Sequence, residues 1–177
     1  MRIGRYGLHW PLTIDEGFNC LLTITDRLNS NYRFIPTTTD ATAEQTALLF
    51  FNQWYCENGL PLTIISDQDK LFTSRFWTHL CLLTGIDHKC SSAYHPETDG
   101  ASERTNKTVI QMLRFHVERN QTGWVCALPC IQFQMMNSIN KSMKFTPFQL
   151  RFGRTPHVLP PLTPRGHRPG NPVPGVG

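Results

Sequence analysis

Strand-like and helical segments alternate along most of this 177-residue chain, and this alternation limits the possible folds more than any other feature. Runs rich in Leu, Ile and Thr indicate strands, whereas apolar residues spaced three and four apart indicate amphipathic helices. The predicted strands cover residues 18–25, 32–36, 62–65 and 86–91, and the predicted helices cover residues 42–58, 74–84, 102–119 and 124–136. The first two strands predict a hairpin, and the whole pattern predicts an α/β domain with a mixed sheet.

Capping residues indicate where the predicted helices begin and end. Thr42 and Gln45 form a Thr-x-x-Gln capping box at the start of the first helix. Gly59 follows the same helix, at a position where glycine commonly ends one. A polar loop, residues 92–100, is expected to precede the long third helix, and Pro129 is expected to interrupt the fourth.

The two ends of the chain differ in composition from its middle. Residues 156–177 contain seven Pro and four Gly, which predicts an extended, disordered tail that packs on nothing and that proteases remove first. Residues 1–10 are rich in glycine and form an atypical N-terminal segment. We therefore predict a single folded domain over residues 11–155.

Charge and hydropathy exclude some classes of protein. Acidic and basic side chains balance over residues 1–150, so the net charge of +4 comes from four arginines beyond that range. The folded body is therefore expected to be neutral, and net charge alone does not indicate a nucleic-acid partner. No apolar run approaches the roughly 18 residues that a membrane span needs.

The six cysteines are scattered through apolar segments and contain no CxxC motif. They do not form the dense framework of a small secreted domain, so we expect buried free thiols. A zinc set can be assembled from Cys81, His88 and Cys90, but no second ligand pair follows at zinc-finger spacing. Core positions are the preferred interpretation of these residues.

Asp67 comes directly after the most hydrophobic predicted strand. Open α/β sheets place functional groups at the carboxyl ends of their strands. An aspartate at a strand end is also a common turn and capping residue. Position alone leaves both interpretations open.

Glu103 and Lys107 lie one helical turn apart in the long predicted helix. Glu103 is expected to open this helix, where the helix dipole favours a negative charge. A carboxylate and a cation at this spacing usually form a weak surface ion pair, and the same spacing could place a metal ligand beside a phosphate contact. Spacing does not separate these interpretations.

Two longer motifs contain these charged residues and resemble a known family. They are residues 65–74 (ISDQDKLFTS) and 94–107 (YHPETDGASERTNK). Both look like the integrase catalytic core of gypsy-type LTR retrotransposons, a branch of the retroviral integrase superfamily. Shorter matches occur at residues 25–28 (TDRL), 34–37 (FIPT), 58–61 (NGLP), 145–150 (FTPFQL) and 153–156 (GRTP). The resemblance covers about residues 15–156.

The resemblance implies a fold and an active site. The family has a ribonuclease H-like fold, a three-layer domain whose mixed five-stranded sheet is flanked by helices. Its active site consists of two aspartates and a glutamate, with 35 residues between the second aspartate and the glutamate. The same number of residues separates Asp67 from Glu103. The resemblance therefore implies that Asp67 and Glu103 are catalytic and bind Mg²⁺ or Mn²⁺.

The implied chemistry is DNA integration by in-line phosphoryl transfer. Two metal ions activate the attacking hydroxyl and stabilise the leaving oxygen in such a reaction. Lys107, Tyr94 and His95 are implied as DNA contacts. The implied partners are the DNA ends of the element, the target DNA and a second copy bound through the core helices. Family membership also implies a nuclear location and nucleic-acid binding that includes RNA.

One catalytic position departs from the family pattern. The family's first aspartate begins a segment resembling DFIGPLP, ten residues before a Gly-Phe pair that is Gly17-Phe18 here. Counting back without gaps places Gly7 where that aspartate is expected. Asp15 is expected in a turn eight residues later and Asp26 past the end of the second predicted strand, so neither is expected to replace it. We therefore expect a degenerate copy with an impaired two-ion site.

Three functions are consistent with these observations. The first is an integrase core that handles DNA ends, supported if the carboxylates of Asp67 and Glu103 converge. The second is a non-catalytic nucleic-acid-binding or assembly module that keeps the fold. The third is a ribonuclease H-like nuclease unrelated to integration, which the 35-residue spacing and the TPFQL segment at residues 146–150 disfavour.

Overall fold

A computed structural model of the chain describes residues 3–9, 12–90, 96–117, 122–140 and 143–157. For residues 3–9, 96–104 and 106 it describes the backbone alone. The predictions for Tyr94 and His95 and for the tail beyond residue 157 lie outside the described residues.

Strands and helices alternate along the described residues, as predicted. The strands are β1 (Ile3–His9), β2 (Cys20–Asp26), β3 (Tyr32–Thr37), β4 (Thr63–Ser66) and β5 (Asp87–Cys90). The helices are α1 (Ala43–Phe50), α2 (Cys56–Asn58), α3 (Arg75–Thr84), α4 (Pro96–His116), α5 (Trp124–Met136) and α6 (Pro147–Phe152). A π-helical segment, Phe51–Tyr55, joins α1 to α2. Among the described residues, no helix combines the length and the apolar character that crossing a bilayer requires.

The strands form one five-stranded sheet in the order β3-β2-β1-β4-β5. β2 pairs antiparallel with β1 and β3, whereas β4 pairs parallel with β1 and β5. The sheet is therefore mixed, and the predicted hairpin is its β2–β3 edge. β1 lies at its centre, between the antiparallel and the parallel halves.

Two hydrophobic cores lie on opposite faces of the sheet. The first core contains Leu22, Ile24, Ile35, Phe50, Trp54, Ile64, Phe72, Trp77, Cys81 and Ile86. The second core contains Leu21, Phe34, Val109, Leu113, Trp124, Leu128, Ile131 and Met135. Successive residues of β2 and β3 enter different cores because neighbouring side chains on a strand point to opposite faces. The helices α1 and α3 cover one face and α4 and α5 cover the other, which confirms the predicted three-layer α/β domain.

The predicted capping box of α1 is confirmed, and α3 has a side-chain cap as well. The Thr42 side chain accepts a hydrogen bond from the Gln45 N–H at 3.2 Å, and the Gln45 side chain accepts one from the Thr42 N–H at 2.8 Å. Ser74 accepts from the Trp77 N–H at 3.2 Å and caps α3. Gly85 ends α3 with φ of 68°, a left-handed conformation that glycine adopts without a steric penalty.

Two helices differ from the sequence predictions. α4 begins at Pro96, inside the segment predicted to be a polar loop, because proline at the first helical position needs no N–H donor. α5 continues through Pro129, which was expected to interrupt it. Leu128 and Ile131 on either side of this proline are buried in the second core, and that packing outweighs the lost backbone hydrogen bond.

The N-terminal residues contribute the central strand. Ile3–His9, which composition places before the core-like domain, pair with β2 on one side and with β4 on the other. Two glycines and an arginine give this strand little intrinsic β-propensity. Hydrogen bonds to β2 and β4 stabilise this strand despite its low β-propensity.

The expectation of buried thiols holds for two cysteines. Cys20 and Cys81 are buried, and burial raises the pKa of Cys81 to about 11. The exposed thiols are Cys56, Cys90, Cys126 and Cys130. The expectation is wrong for these four because they lie on the outward faces of otherwise apolar segments.

Candidate active site at the centre of the sheet

Asp67 follows the last residue of β4, at the carboxyl end of the parallel half of the sheet. Ser66 is fully buried, whereas Asp67 is half-buried, so the chain leaves the core at the aspartate. The Oδ1 atom of Asp67 accepts the N–H of Asp69 at 3.3 Å, and the Oδ1 atom of Asp69 accepts the N–H of Leu71 at 2.9 Å. Asp67 therefore occupies the strand end and also makes the turn contact that its other interpretation expected.

The pairing register places Gly7 beside Asp67. One row of paired residues crosses the sheet through Arg33, Ile24, Tyr6, Ser66 and Cys90. Gly7 follows Tyr6 and Asp67 follows Ser66, and β1 and β4 run parallel. Gly7 and Asp67 are therefore the residues that come next after the paired Tyr6 and Ser66, where the two strand backbones are about 5 Å apart. The position at which counting expected the family's first aspartate is a glycine, which has no side-chain oxygen.

A buried hydroxyl and a histidine lie next to Asp67. The Oγ atom of Ser66 is 2.9 Å from Nε2 of His88 and donates to the Asp67 carbonyl oxygen at 3.0 Å. A hydroxyl has one proton to donate, so the tautomer of His88 decides whether its Nε2 donates to Ser66 or accepts from it. Burial lowers the pKa of His88, against the opposing charge of Asp87. The pair ties β5 to the turn that carries Asp67.

Sequence reasoning missed the contact between Ser66 and His88. His88 was considered only as a zinc ligand, and Ser66 only as the residue before Asp67. The signal lies in the parallel register, in which Ile64 pairs with His88 and Ser66 with Cys90. Side chains two residues apart on a strand share a face, so Ser66 and His88 meet diagonally across β4 and β5.

Glu103 lies inside α4 rather than at its start. It is the eighth residue of the helix that begins at Pro96, so the expectation that Glu103 opens the helix is wrong. The helix dipole acts within the first turn and does not account for a glutamate at this position. Lys107 follows one turn later and is exposed. The Glu103 side chain lies outside the described residues, so its convergence with Asp67 stays a prediction.

The sheet side of α4 is fixed by packing and by one polar contact. Val109 and Leu113 are buried in the second core. The hydroxyl of Tyr32 on β3 is hydrogen-bonded to Thr105 and to Ser30, and burial of the ring raises the pKa of Tyr32 despite these bonds. These contacts hold the helix that carries Glu103 and Lys107 against the sheet.

Two other aspartates serve local structure away from Gly7. Asp26 pairs with Ile3 at the opposite end of β1, and its Oδ1 atom accepts the N–H of Leu28 at 2.9 Å. Asp15 Oδ2 accepts the N–H of Val125 at 2.9 Å, in the first turn of α5. Neither carboxylate lies in the pairing row that contains Ser66.

The donors that the structure describes do not by themselves fit a two-ion site. No group of three or more His, Cys, Asp and Glu side chains suited to a metal ion occurs in the described ranges. Asp67 is one carboxylate, and Gly7 beside it adds none. A pair of Mg²⁺ ions requires several oxygen ligands, with at least one shared between the ions.

The sequence is similar to polyproteins of fission yeast retrotransposons. It matches no protein-family model. It is 34% identical over 145 residues to the transposon Tf2-3 and Tf2-4 polyproteins of Schizosaccharomyces pombe, and the match covers 82% of this chain. The chain spans about 11% of the length of these relatives.

The fold is similar to that of solved retroviral integrases. The catalytic core domain of HTLV-2 integrase in complex with magnesium gives a TM-score of 0.62 at 16% identity, over 85% of this chain and 97% of that one. The catalytic core domain of BIV integrase gives 0.60 at 17% identity, over 82% and 91%. A chain of the simian T-cell lymphotropic virus intasome, solved with PP2A regulatory subunit B56 gamma, gives 0.68 at 17% identity, over 93% and 59%.

The layered sheet and these structural likenesses define the class of the protein, which is a ribonuclease H-like domain with the fold of integrase catalytic cores. The relationship to Tf2 polyproteins narrows this class further. The chain belongs to the LTR-retrotransposon integrases as a domain like their catalytic core, as its motifs predicted.

Proposed function

We propose that this domain acts in DNA integration, on the DNA ends of a retrotransposon, and that its own phosphoryl-transfer activity is impaired. The observation that carries the proposal is the register that sets Gly7 beside Asp67 on the two central parallel strands. A carboxylate at this position would face both ions of a two-ion site. A glycine at this position would supply no oxygen ligand to metal ions held there.

The remaining residues have distinct proposed roles. Asp67 and Glu103 are the two carboxylates left to hold Mg²⁺ or Mn²⁺, which when bound supply Lewis-acid activation of the attacking hydroxyl. Lys107 contacts a DNA phosphate, and Tyr94 and His95 are further DNA contacts. Ser66 and His88 hold the main chain at Asp67, since the Ser66 hydroxyl bonds both the His88 ring and the Asp67 carbonyl.

The test is disintegration of a branched DNA substrate in Mg²⁺ or Mn²⁺. We expect no turnover by the unmodified chain, because two carboxylates neutralise the charge of two divalent ions poorly. Metal-dependent turnover that Asp67→Asn abolishes would contradict this, since another residue would then supply the third carboxylate.

A gain-of-ligand variant tests the assignment of Gly7. Gly7→Asp should bind Mg²⁺ at least about 10-fold more tightly than the unmodified chain in a calorimetric titration, because it restores an oxygen ligand beside Asp67. Gly4→Asp is the matched control, since it adds the same charge to the same strand further from Asp67. Equal gains in the two variants would reject the assignment.

A non-catalytic nucleic-acid-binding or assembly module is the second candidate, and the glycine beside Asp67 also favours it. The two candidates differ in what Gly7→Asp recovers. Metal binding accompanied by disintegration supports an impaired enzyme, whereas metal binding without any turnover supports a module that has lost more than one ligand.

We further propose a homodimer formed through the core helices and a nuclear location, where integration would meet chromosomal DNA. HTLV-2 integrase cores are described in dimeric and trimeric forms. Sedimentation equilibrium of the chain tests the first proposal, and imaging of a fluorescent fusion tests the second. A strictly monomeric or an entirely cytoplasmic protein would contradict them.

A further inference from the structure

Two arginines share one carboxylate at the edge of the sheet furthest from β5, and a third arginine lies against a neighbouring ring of α6. We call Arg33 of β3, Arg151 and Arg154 at the end of α6, and Glu57 of α2 the α6 arginine cluster. Glu57 Oε2 accepts hydrogen bonds from the guanidinium of Arg33 and from that of Arg151, the latter at 3.4 Å. The Arg33 and Arg151 side chains are 20% exposed and that of Glu57 is 50% exposed.

Glu57 engages one donor of each of these two arginines within the described residues. Each guanidinium has five N–H donors. The bonds from Arg33 and Arg151 both go to the same oxygen of Glu57. Both arginine side chains are partly exposed, so an oxyanion in solution can approach them.

Aromatic rings restrain the guanidinium groups of Arg151 and Arg154. The guanidinium carbon of Arg151 lies 5.0 Å from the ring centre of Phe152, and that of Arg154 lies 5.5 Å from the ring centre of Phe148. The two rings pack at a centroid distance of 4.6 Å. Cation–π contacts of this kind reduce the freedom of the arginines, so less entropy is lost when they bind an anion.

The charge distribution in the sequence around α6 favours binding of a polyanion. Residues 119–177 contain seven Lys or Arg and no Asp or Glu, although the rest of the chain has a small acidic excess. Among the described residues, Glu57, from a distant part of the chain, is the carboxylate that pairs with Arg151, and it also pairs with Arg33. A planar guanidinium binds phosphate oxygens in pairs, which suits a nucleic-acid backbone.

The cluster and Asp67 share one line across the sheet. Arg33 belongs to the same pairing row as Ser66, and three strand intervals separate them. This corresponds to about 14 Å between backbones. The cluster is therefore distinct from the strand end at Asp67.

We propose that the α6 arginine cluster is a second docking surface for the phosphate backbone of DNA, on which a phosphate displaces Glu57 from Arg33 and Arg151. This surface binds without metal and without Asp67, so it goes beyond the proposed phosphoryl transfer. Glu57 competes with the phosphate for Arg33 and Arg151, so its presence lowers the affinity of the cluster for DNA.

The test uses the full chain, a fluorescent DNA duplex of about 20 base pairs and EDTA, with binding measured by anisotropy from about 50 to 200 mM salt. Arg154→Gln should weaken binding about 3- to 10-fold at low salt and reduce the salt slope by about one, as expected for one lost phosphate contact. Lys89→Gln removes the same charge from the opposite edge of the sheet and should leave binding unchanged. Glu57→Gln should bind more tightly, while Asp67→Asn should bind like the unmodified chain.

Two results would overturn the proposal. One is equal weakening by Arg154→Gln and Lys89→Gln, which would reflect net charge alone. The other is a Glu57→Gln variant that melts at a lower temperature without binding DNA more tightly, which would make the cluster an ion-pair clamp between α2, β3 and α6. Loss of disintegration activity tests the proposed function and leaves this measurement unaffected, because EDTA removes the metal.

Discussion

The two cores of the domain are held by different kinds of contact. The first core brings together α1, α3 and neighbouring strands through apolar side chains, with Trp54 and Trp77 almost fully buried. The second core adds polar contacts between α5 and distant parts of the chain. They are Trp124 Nε1 to the Thr13 carbonyl at 2.9 Å, the Val125 N–H to Asp15 at 2.9 Å, and the Phe34 N–H to Gln132 at 3.2 Å.

This difference arises from distance along the chain. The helices over the first core are connected to the strands beneath them by short turns, which already limit where they can lie. α5 comes about a hundred residues after the sheet strands that it covers, and apolar packing alone would let it slide. Directional hydrogen bonds fix its position, and Pro129 within it removes one internal bond that would otherwise stiffen it.

The largest expected effect lies in the first core. Leu22→Ala should lower the free energy of unfolding by about 2–5 kcal/mol, because Leu22 is fully buried and its removal leaves a cavity. Urea denaturation measures the change. Leu82→Ala is the control, since Leu82 is 73% exposed and should change stability by less than about 0.5 kcal/mol. Similar losses in both variants would show that the first core does not depend on apolar burial.

A smaller effect is expected where a carboxylate caps α5. Asp15→Ala should cost about 0.5–2 kcal/mol, the usual range for losing a side-chain cap, because the Val125 N–H loses its acceptor. Asp15→Asn keeps an oxygen acceptor and should cost less. If both substitutions left the denaturation midpoint unchanged, the polar contacts of the second core would be incidental to its stability.

The smallest effect is a pH dependence in the parallel half of the sheet. Burial lowers the pKa of His88 below its ordinary 6.5, so the unfolded chain binds a proton that the folded chain resists. The contribution of His88 to stability is therefore complete above about pH 6.5 and is lost as the pH falls toward its folded pKa. Denaturation from about pH 7.5 to about pH 5 should show a smaller loss of stability in His88→Gln than in the unmodified chain. Parallel losses would mean that His88 titrates as an exposed histidine does.

Capping residues in the sequence were sufficient to predict where some helices begin or end. Thr42 with Gln45 and Ser74 with Gly85 set the ends of α1 and α3 within a residue or two. The start of α4 was missed because Pro96 precedes polar residues that resemble a loop, although proline is favoured in the first helical turn. β1 was missed because its residues are poor strand formers and its stability comes from neighbours distant in sequence.

The candidate site also has one part that the sequence predicts and another part that depends on strand register. The strand end at Asp67 could be predicted from the apolar run before it, and counting from Gly17 pointed to Gly7. That Gly7 lies beside Asp67 depends on the register between β1 and β4, which composition does not determine. The contact between Ser66 and His88 depends on the register between β4 and β5 for the same reason.

The π-helical segment between α1 and α2 sets the rotational phase of α2. The Cys56 N–H bonds the carbonyl of Phe51, five residues back, so this turn holds one residue more than an α-helical turn. Deleting one residue from Phe51–Tyr55 would restore regular α-helix and rotate α2 by about 100°. Glu57 would then turn away from Arg33 and Arg151, and both arginines would lose their shared carboxylate. The loss of a single codon here would therefore change the surface charge at α6 while leaving every arginine codon in place.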